Sequence, residues 1–265
     1  MVTSLSSPVS YTLPLDEERV PLNQYIGHAI SLDYRGEIHC IECGRKTSKS
    51  YNQGYCYPCF QSLAACDMCI MKPETCHYHK GTCRQPQWGE THCFQDHYVY
   101  LANSSGIKVG ITRGTQLPTR WIDQGASQAL PVFRVRNRLL SGQLEVVIKE
   151  HVSDRTDWRK MLKGSPDEIN LGVRRDELLE LSSEGIRSIE QASNATDITL
   201  LSDEQRVDID YPIEVYPAKV KSLSFDKTPL VQGVLQGIKG QYLLLDSGVL
   251  NIRKFAGYHV DFAVT

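Results

Sequence analysis

Tyr98-Val99-Tyr100-Leu101-Ala102, the turn Asn103-Ser104-Ser105-Gly106 and Ile107-Lys108-Val109-Gly110-Ile111 follow one another without interruption. Two runs of aromatic and β-branched residues separated by Asn, Ser and Gly read as a β-hairpin. The residues behind it set the fold class. Pro118 to Gln124 opens a short helix with proline near its first turn, and Leu130 to Arg136 is a third strand. Leu140, Leu144, Val147, Ile148 and His151 recur at helical spacing, so residues 139–152 form an amphipathic helix. The order β-β-α-β-α predicts a small mixed sheet with helices over residues 98–165, within a chain of α+β class.

Upstream of the hairpin, all nine cysteines fall between Cys40 and Cys93, and His39, His77, His79, His92 and His97 crowd the same stretch. Cys40-Ile-Glu-Cys43 and Cys56-Tyr-Pro-Cys59 are two knuckles, each offering two sulfurs to one tetrahedral Zn²⁺, with Gly44 and Gly54 easing the turns. A third knuckle, Cys66-Asp-Met-Cys69, needs partners from Cys76, His77, His79, Cys83, His92, Cys93 and His97. Spacing does not pair them; the preferred set is Cys66 and Cys69 with two of Cys76, Cys83 and Cys93. All-thiolate zinc is closed and structural, and the module lacks the His-x-x-x-His or His-x-Glu element of a catalytic site. The odd cysteine count and a Met1–Pro14 start without a basic and apolar signal favour thiolates in a cytoplasmic protein over disulfides.

Further out, residues 20–39 read as strands, and from Tyr211 the pattern turns to β again, punctuated by Gly233, Gly237, Gly240, Gly248 and Gly257. Leu235–Asp246 and Gly248–Arg253 read as a hairpin joined at Asp246-Ser-Gly248, and the strands before Cys40 are candidates to complete this sheet. Gln241, Tyr242, Asn251 and Arg253 are placed on a polar face of the tail. Trp158–Leu162 and Glu177–Gln191 look helical. The expected organisation is 1–38 N-terminal strands, 39–97 zinc-ribbon-like module, 98–165 the α/β domain, 166–210 a helical acidic segment and 211–265 a β-rich region. No apolar run is long enough for a membrane span.

The net charge of −2 conceals an asymmetry. Residues 98–160 hold ten Lys/Arg against five Asp/Glu, whereas 161–210 hold five against twelve. A basic segment suits an anionic partner such as DNA or RNA. The acidic one reads as solvated helix surface, or as a face for a protein partner.

Tyr98-Val-Tyr100, Lys108-Val-Gly110, Arg120 and Glu145 together resemble the GIY-YIG nuclease superfamily in order and spacing. The resemblance covers about residues 97–152. It implies Mg²⁺- or Mn²⁺-dependent hydrolysis of a phosphodiester, with Tyr100 orienting or deprotonating water and Glu145 as the sole carboxylate on the ion. Arg120 would neutralise the phosphate, and one Mg²⁺ tolerates a single protein carboxylate among waters. Tyr98 stands where glycine is typical, Lys108 where tyrosine is typical and Gln124 where many relatives carry histidine. Lysine also occurs at that second position, where it would lower the pKa of water or hold a phosphate. Arg113 is a further phosphate contact in this reading.

Cys56-Tyr-Pro-Cys-Phe60, Gly81-Thr-Cys-Arg84 and Gly237-Ile-Lys-Gly-Gln-Tyr242 resemble a bacterial protein family that joins a cysteine-rich module to such a domain. That resemblance implies the layout and brings no activity with it. Two other readings fit the same residues: a zinc-bearing nucleic-acid-binding protein without cleavage, and a structural or protein-interaction module.

Overall fold

The computed structural model describes residues 1–264. Its central sheet is built on the hairpin: His97–Asn103 lies between Ile107–Arg113, the edge strand, and Gln128–Val135, all antiparallel. Strand residues alternate between faces, and here each face is covered by a different layer. Val99, Leu101 and Val109 pack with Leu140, Leu144 and Ile148 of helix Arg138–Ile148, and with Leu171 and Leu178 of helix Leu171–Leu181. Tyr100 and Ala102, one residue out of phase, join Trp121, Ile122, Ile238 and Leu243 in a second core. This double coverage is why the strand is apolar at nearly every position.

The second core is shared with a larger antiparallel sheet. Ala29–His39 is flanked by Leu230–Lys239 and Tyr258–Val264, and the sheet continues through Tyr242–Leu245 and Gly248–Asn251. The β-rich ends of the chain are therefore one structure, and the division into 1–38 and 211–265 does not describe it. Residues before Ala29 differ again. Val2–Ser4, Ser10–Leu15 and Glu18–Pro21 form a separate three-stranded sheet that buries Tyr11 and Leu13.

The tail reverses not only after Leu245 but also between Lys239 and Tyr242, so the expected hairpin is a three-stranded meander. Segment 166–210 carries two helices, Leu171–Leu181 and Ser183–Gln191, rather than one. It also supplies two short strands, Ile198–Leu200 and Val207–Asp208, which pair with Gln128–Val135. Its description as wholly helical is corrected accordingly. The chain is a mixed α+β protein, and among the described residues no helix is long and apolar enough to cross a membrane.

Candidate functional site

Register fixes the first half of the site. Tyr100 pairs with Gly110 and Ala102 with Lys108, so Tyr100 and Lys108 share one face of the hairpin. The phenol lies flat across Gly110: a β-carbon there would come within 2.7 Å of the hydroxyl oxygen. Gln124, at the residue position where the nuclease resemblance expects histidine, donates from Nε2 to that hydroxyl at 2.8 Å. Burial raises the Tyr100 pKa, with the Arg120 charge and the Gln124 hydrogen bond opposing. Tyr100 is 0% exposed and Lys108 only 7%.

Arg120 is carried by helix Thr119–Asp123, whose Trp121 and Ile122 are buried in the second core. The larger sheet holds this helix from behind. Gln241 Nε2 donates to Asp123, Arg253 lies 3.4 Å from the same carboxylate, and the Tyr211 hydroxyl donates to the Ala126 carbonyl at 2.8 Å. Gln241 and Arg253 thus anchor the Arg120 helix, and Gln241 is buried rather than displayed on a tail surface.

Glu145 arrives from the other layer. Helix Arg138–Ile148 is capped by Asn137, whose side chain accepts from the Leu140 amide at 2.9 Å. Burial pushes the Glu145 carboxyl up to about 7 against the pull of Lys149, with Asp154 adding to the rise and Lys108 and Arg120 opposing it. Burial and the Arg120 charge bring the Lys108 amine down to about 8, opposed by Glu145 and Asp154. Lys108, Arg120 and Glu145 therefore act on one another electrostatically, and Arg120 and Glu145 also act on the neutral Tyr100 phenol. The four do not share one open face: Tyr100 and Lys108 are covered, while Arg120 and Glu145 are partly exposed. Among the described residues, neither Lys108, Arg120 nor Glu145 is in an ion pair.

Asp154 was not anticipated. It stands next to Ser153, which runs parallel to Lys108 and accepts from the Val109 amide at 2.9 Å. A lone aspartate in a loop offers no spacing to mark it, and only this bridge along the sheet edge brings it to Lys108 and Glu145. Arg113 lies at the other end of the edge strand, opposite His97.

Four of the cysteines are gathered as expected. The ligand atoms of Cys40, Cys43, Cys56 and Cys59 all lie within 4.8 Å of one another, and Cys43 Sγ is 3.7 Å from Cys56 Sγ. Sulfurs at about 2.3 Å from a tetrahedral zinc stand about 3.8 Å apart, so the quartet could hold one Zn²⁺. The first knuckle closes through Gly44, at φ +68°, whose amide donates to the Cys40 carbonyl at 2.9 Å. Against the upward push of burial, backbone amides of Cys43, Cys56 and Glu42 bring the Cys40 thiol down to about 6. Burial and the neighbouring Cys56, Cys43 and Cys40 sulfurs drive Cys59 well above the usual thiol range.

The remaining five cysteines separate into one and four, and none of the nine is in a disulfide. Cys66 accepts from Asn52 Nδ2 at 3.6 Å and feels the charges of Arg84 and Cys40, on the side of the first quartet. Cys69, Cys76, Cys83 and Cys93 line a different, small cavity with His77 and Trp88. Burial raises Cys69 to about 11, with Asp67 and the other three thiols adding to it, and burial raises Cys93. Cys66 therefore does not share a cavity with Cys69, its partner in the expected third knuckle.

A mixed α+β protein with a four-sulfur cluster and a group of unpaired charges on a sheet edge is the class that these features define. The chain belongs to the family described as protein of unknown function (DUF2797), whose model matches residues 27–260. No curated protein and no solved structure matches the chain. The matched span runs through the cysteine module, the hairpin sheet and most of the larger sheet, but leaves out the three-stranded sheet of residues 2–21.

Proposed function

We propose that this is a zinc-bearing, GIY-YIG-like nucleic-acid-processing protein that hydrolyses phosphodiesters with Mg²⁺ or Mn²⁺ at the Ile107–Arg113 edge. One observation carries the reading: Lys108, Arg120 and Glu145, from three separate elements, are kept partly or largely buried with no ion-pair partner. Desolvating a charge without pairing it is costly, and such groups concentrate where a ligand completes them. Arg120 and Lys108 supply positive charge for a phosphate, and Glu145 a carboxylate for the ion, with Asp154 beside it. An Mg²⁺ or Mn²⁺ bound there would polarise the phosphoryl oxygen and the attacking water. Tyr100 is covered and its phenol raised, so it acts through Gln124 and Arg120 as a positioning residue. Lys108, brought down to about 8, and Glu145, pushed up to about 7, are the groups able to exchange a proton near neutral pH.

The test is cleavage of single-stranded, double-stranded and branched DNA and RNA in Mg²⁺ or Mn²⁺. Glu145→Ala is expected to abolish cleavage while the protein stays folded; absence of cleavage of every substrate by the wild type refutes hydrolysis. The burial of Tyr100 favours a second reading, in which the same edge grips phosphates without cutting. Salt-sensitive binding weakened by Arg120→Ala and Lys108→Ala but unaffected by Glu145→Ala supports that reading. Absence of binding at low salt leaves the structural or protein-interaction role, with the acidic segment 161–210 as the partner face.

A further inference from the structure

Cys69, Cys76, Cys83 and Cys93 come from four successive turns: helix Met68–Met71, the residue after the turn Pro73–Thr75, the loop after Gly81, and the residue after helix Pro86–His92. Their spacing contains no Cys-x-x-Cys pair, yet all four line one cavity of about 20 Å³, room for a single small sphere. Among the described residues none of these four sulfurs makes a hydrogen bond, whereas Cys66 does. Cys69 also lies within 4.8 Å of Asp67 and His77. Those two are already engaged: Asp67 accepts from Arg84 Nε at 2.8 Å, and His77 Nδ1 meets the Thr82 hydroxyl at 2.8 Å. The uncommitted donor set is four thiols around one cavity, a soft set of the kind that zinc takes, although only Cys69 of the four belongs to a group of ligand atoms gathered within 4.8 Å.

We infer that Cys69, Cys76, Cys83 and Cys93 bind a second tetrahedral zinc ion, which holds the loop on which the Glu145 helix is seated. Four thiolates around Zn²⁺ leave a net charge of −2, and a half-buried cation, Arg138, stands at this spot. The Arg138 amide donates to the Cys93 carbonyl at 2.8 Å, and its guanidinium donates to the Ile70 carbonyl at 2.7 Å. Its Nε is buried with no partner, and so is free to donate to a thiolate. Arg138 is also the first residue of helix Arg138–Ile148. Between Cys69 and Cys76, Pro73 and Glu74 press against Gly142 of that helix, where a β-carbon would come within 2.6 Å of the Glu74 amide nitrogen. The ion assignment stands independently of the nuclease reading; only its consequence for Glu145 as a functional residue rests on it.

Zinc per chain, measured on the purified full-length protein, tests the assignment. Two ions are expected for the wild type, for Cys66→Ser and for His77→Ala, and one for Cys83→Ser. One ion in the wild type overturns it. So does loss of an ion in Cys66→Ser, which restores the knuckle pairing, or in His77→Ala, which selects the Asp67–Cys69–His77 set. Should Cys83→Ser fail to fold, Co²⁺ titration of metal-free wild type replaces it. Two equivalents, each with thiolate-to-cobalt charge transfer, are expected; saturation at one equivalent, or a second without charge transfer, overturns the site.

Discussion

The hydroxyl of Tyr100 lies over Gly110 on the neighbouring strand, in the space that a side chain at 110 would fill. The two residues close the two strand motifs of the hairpin, so the glycine is there for close approach rather than for a turn. Its backbone is ordinary strand, and only the aromatic ring opposite excludes a larger residue. Gly110→Ala is expected to force the Tyr100 ring out of the second core. The cost is about 1–3 kcal/mol, typical of overpacking a filled site, measured by urea unfolding. Cleavage falls with it if Tyr100 positions Arg120. Unchanged stability would mean that the ring moves freely and that the contact fixes nothing.

Glu145 makes a second prediction because its charge is held without a partner. Its carboxyl titrates near 7 in the fold and in the ordinary carboxylate range when unfolded. Between those values the folded protein binds more protons, so stability present at low pH is lost as pH rises through 7. Glu145→Gln, which stays neutral, is expected to match the wild type near pH 4.5 and to exceed it at pH 8 by up to about 3 kcal/mol. Added Mn²⁺ should raise the wild-type Tm at pH 8, less so below pH 7, and leave the variant unmoved. A variant less stable than the wild type at pH 8 would refute the unpaired carboxylate.

The hairpin, the helix bearing Glu145 and the first quartet were legible because each is local. Two strands and a turn, a 3.6-residue apolar repeat and paired Cys-x-x-Cys knuckles are read over short spans. What was missed depends on distant partners or on signals that the residues mask. Pro14, a residue that argues against a strand, lies inside Ser10–Leu15 beside the alternating Tyr11 and Leu13, which hid the first sheet. Ile198–Leu200 and Val207–Asp208 are too short to show a period. Cys66-x-x-Cys69 has the form of a knuckle, yet the chain turns its two sulfurs to different neighbours. Asp154 acquires meaning only from the bridge between Ser153 and Lys108.

Gly142 provides a test of the contact between cysteine module and site helix that leaves every ligand in place. A β-carbon at this position meets backbone at Glu74 as well as the ring of Pro73, and neither is the flexible end of a side chain. Gly142→Ala is therefore expected to cost about 1–3 kcal/mol with zinc content unchanged. Cleavage or phosphate binding should fall although Arg120, Lys108 and Glu145 are intact. Full function in the variant would show that the helix does not need this seat.

His97, where the cysteine module passes into the hairpin, is expected to make the fold acid-sensitive. The residue is fully buried; its Nδ1 lies 2.8 Å from the Gln95 carbonyl, and Nε2 has no partner. Burial lowers its pKa to about 4, with the nearby Arg138 and Arg113 charges adding to the effect and the Gln95 hydrogen bond opposing it. The unfolded chain takes up this proton near 6.5, whereas the fold refuses it until about 4. Protons therefore favour the unfolded state in that window, and stability is lost as pH falls through it. From pH 7.5 to pH 5 the loss from this residue alone is about 2 kcal/mol. Acid also competes with zinc for thiolates, so the comparison is with His97→Gln, which keeps the cysteines and removes the titrating group. Urea unfolding at the two pH values should show a drop in the wild type about 2 kcal/mol larger than in the variant. Equal drops would mean that the His97 ring is protonated in the fold and that its burial has no electrostatic consequence.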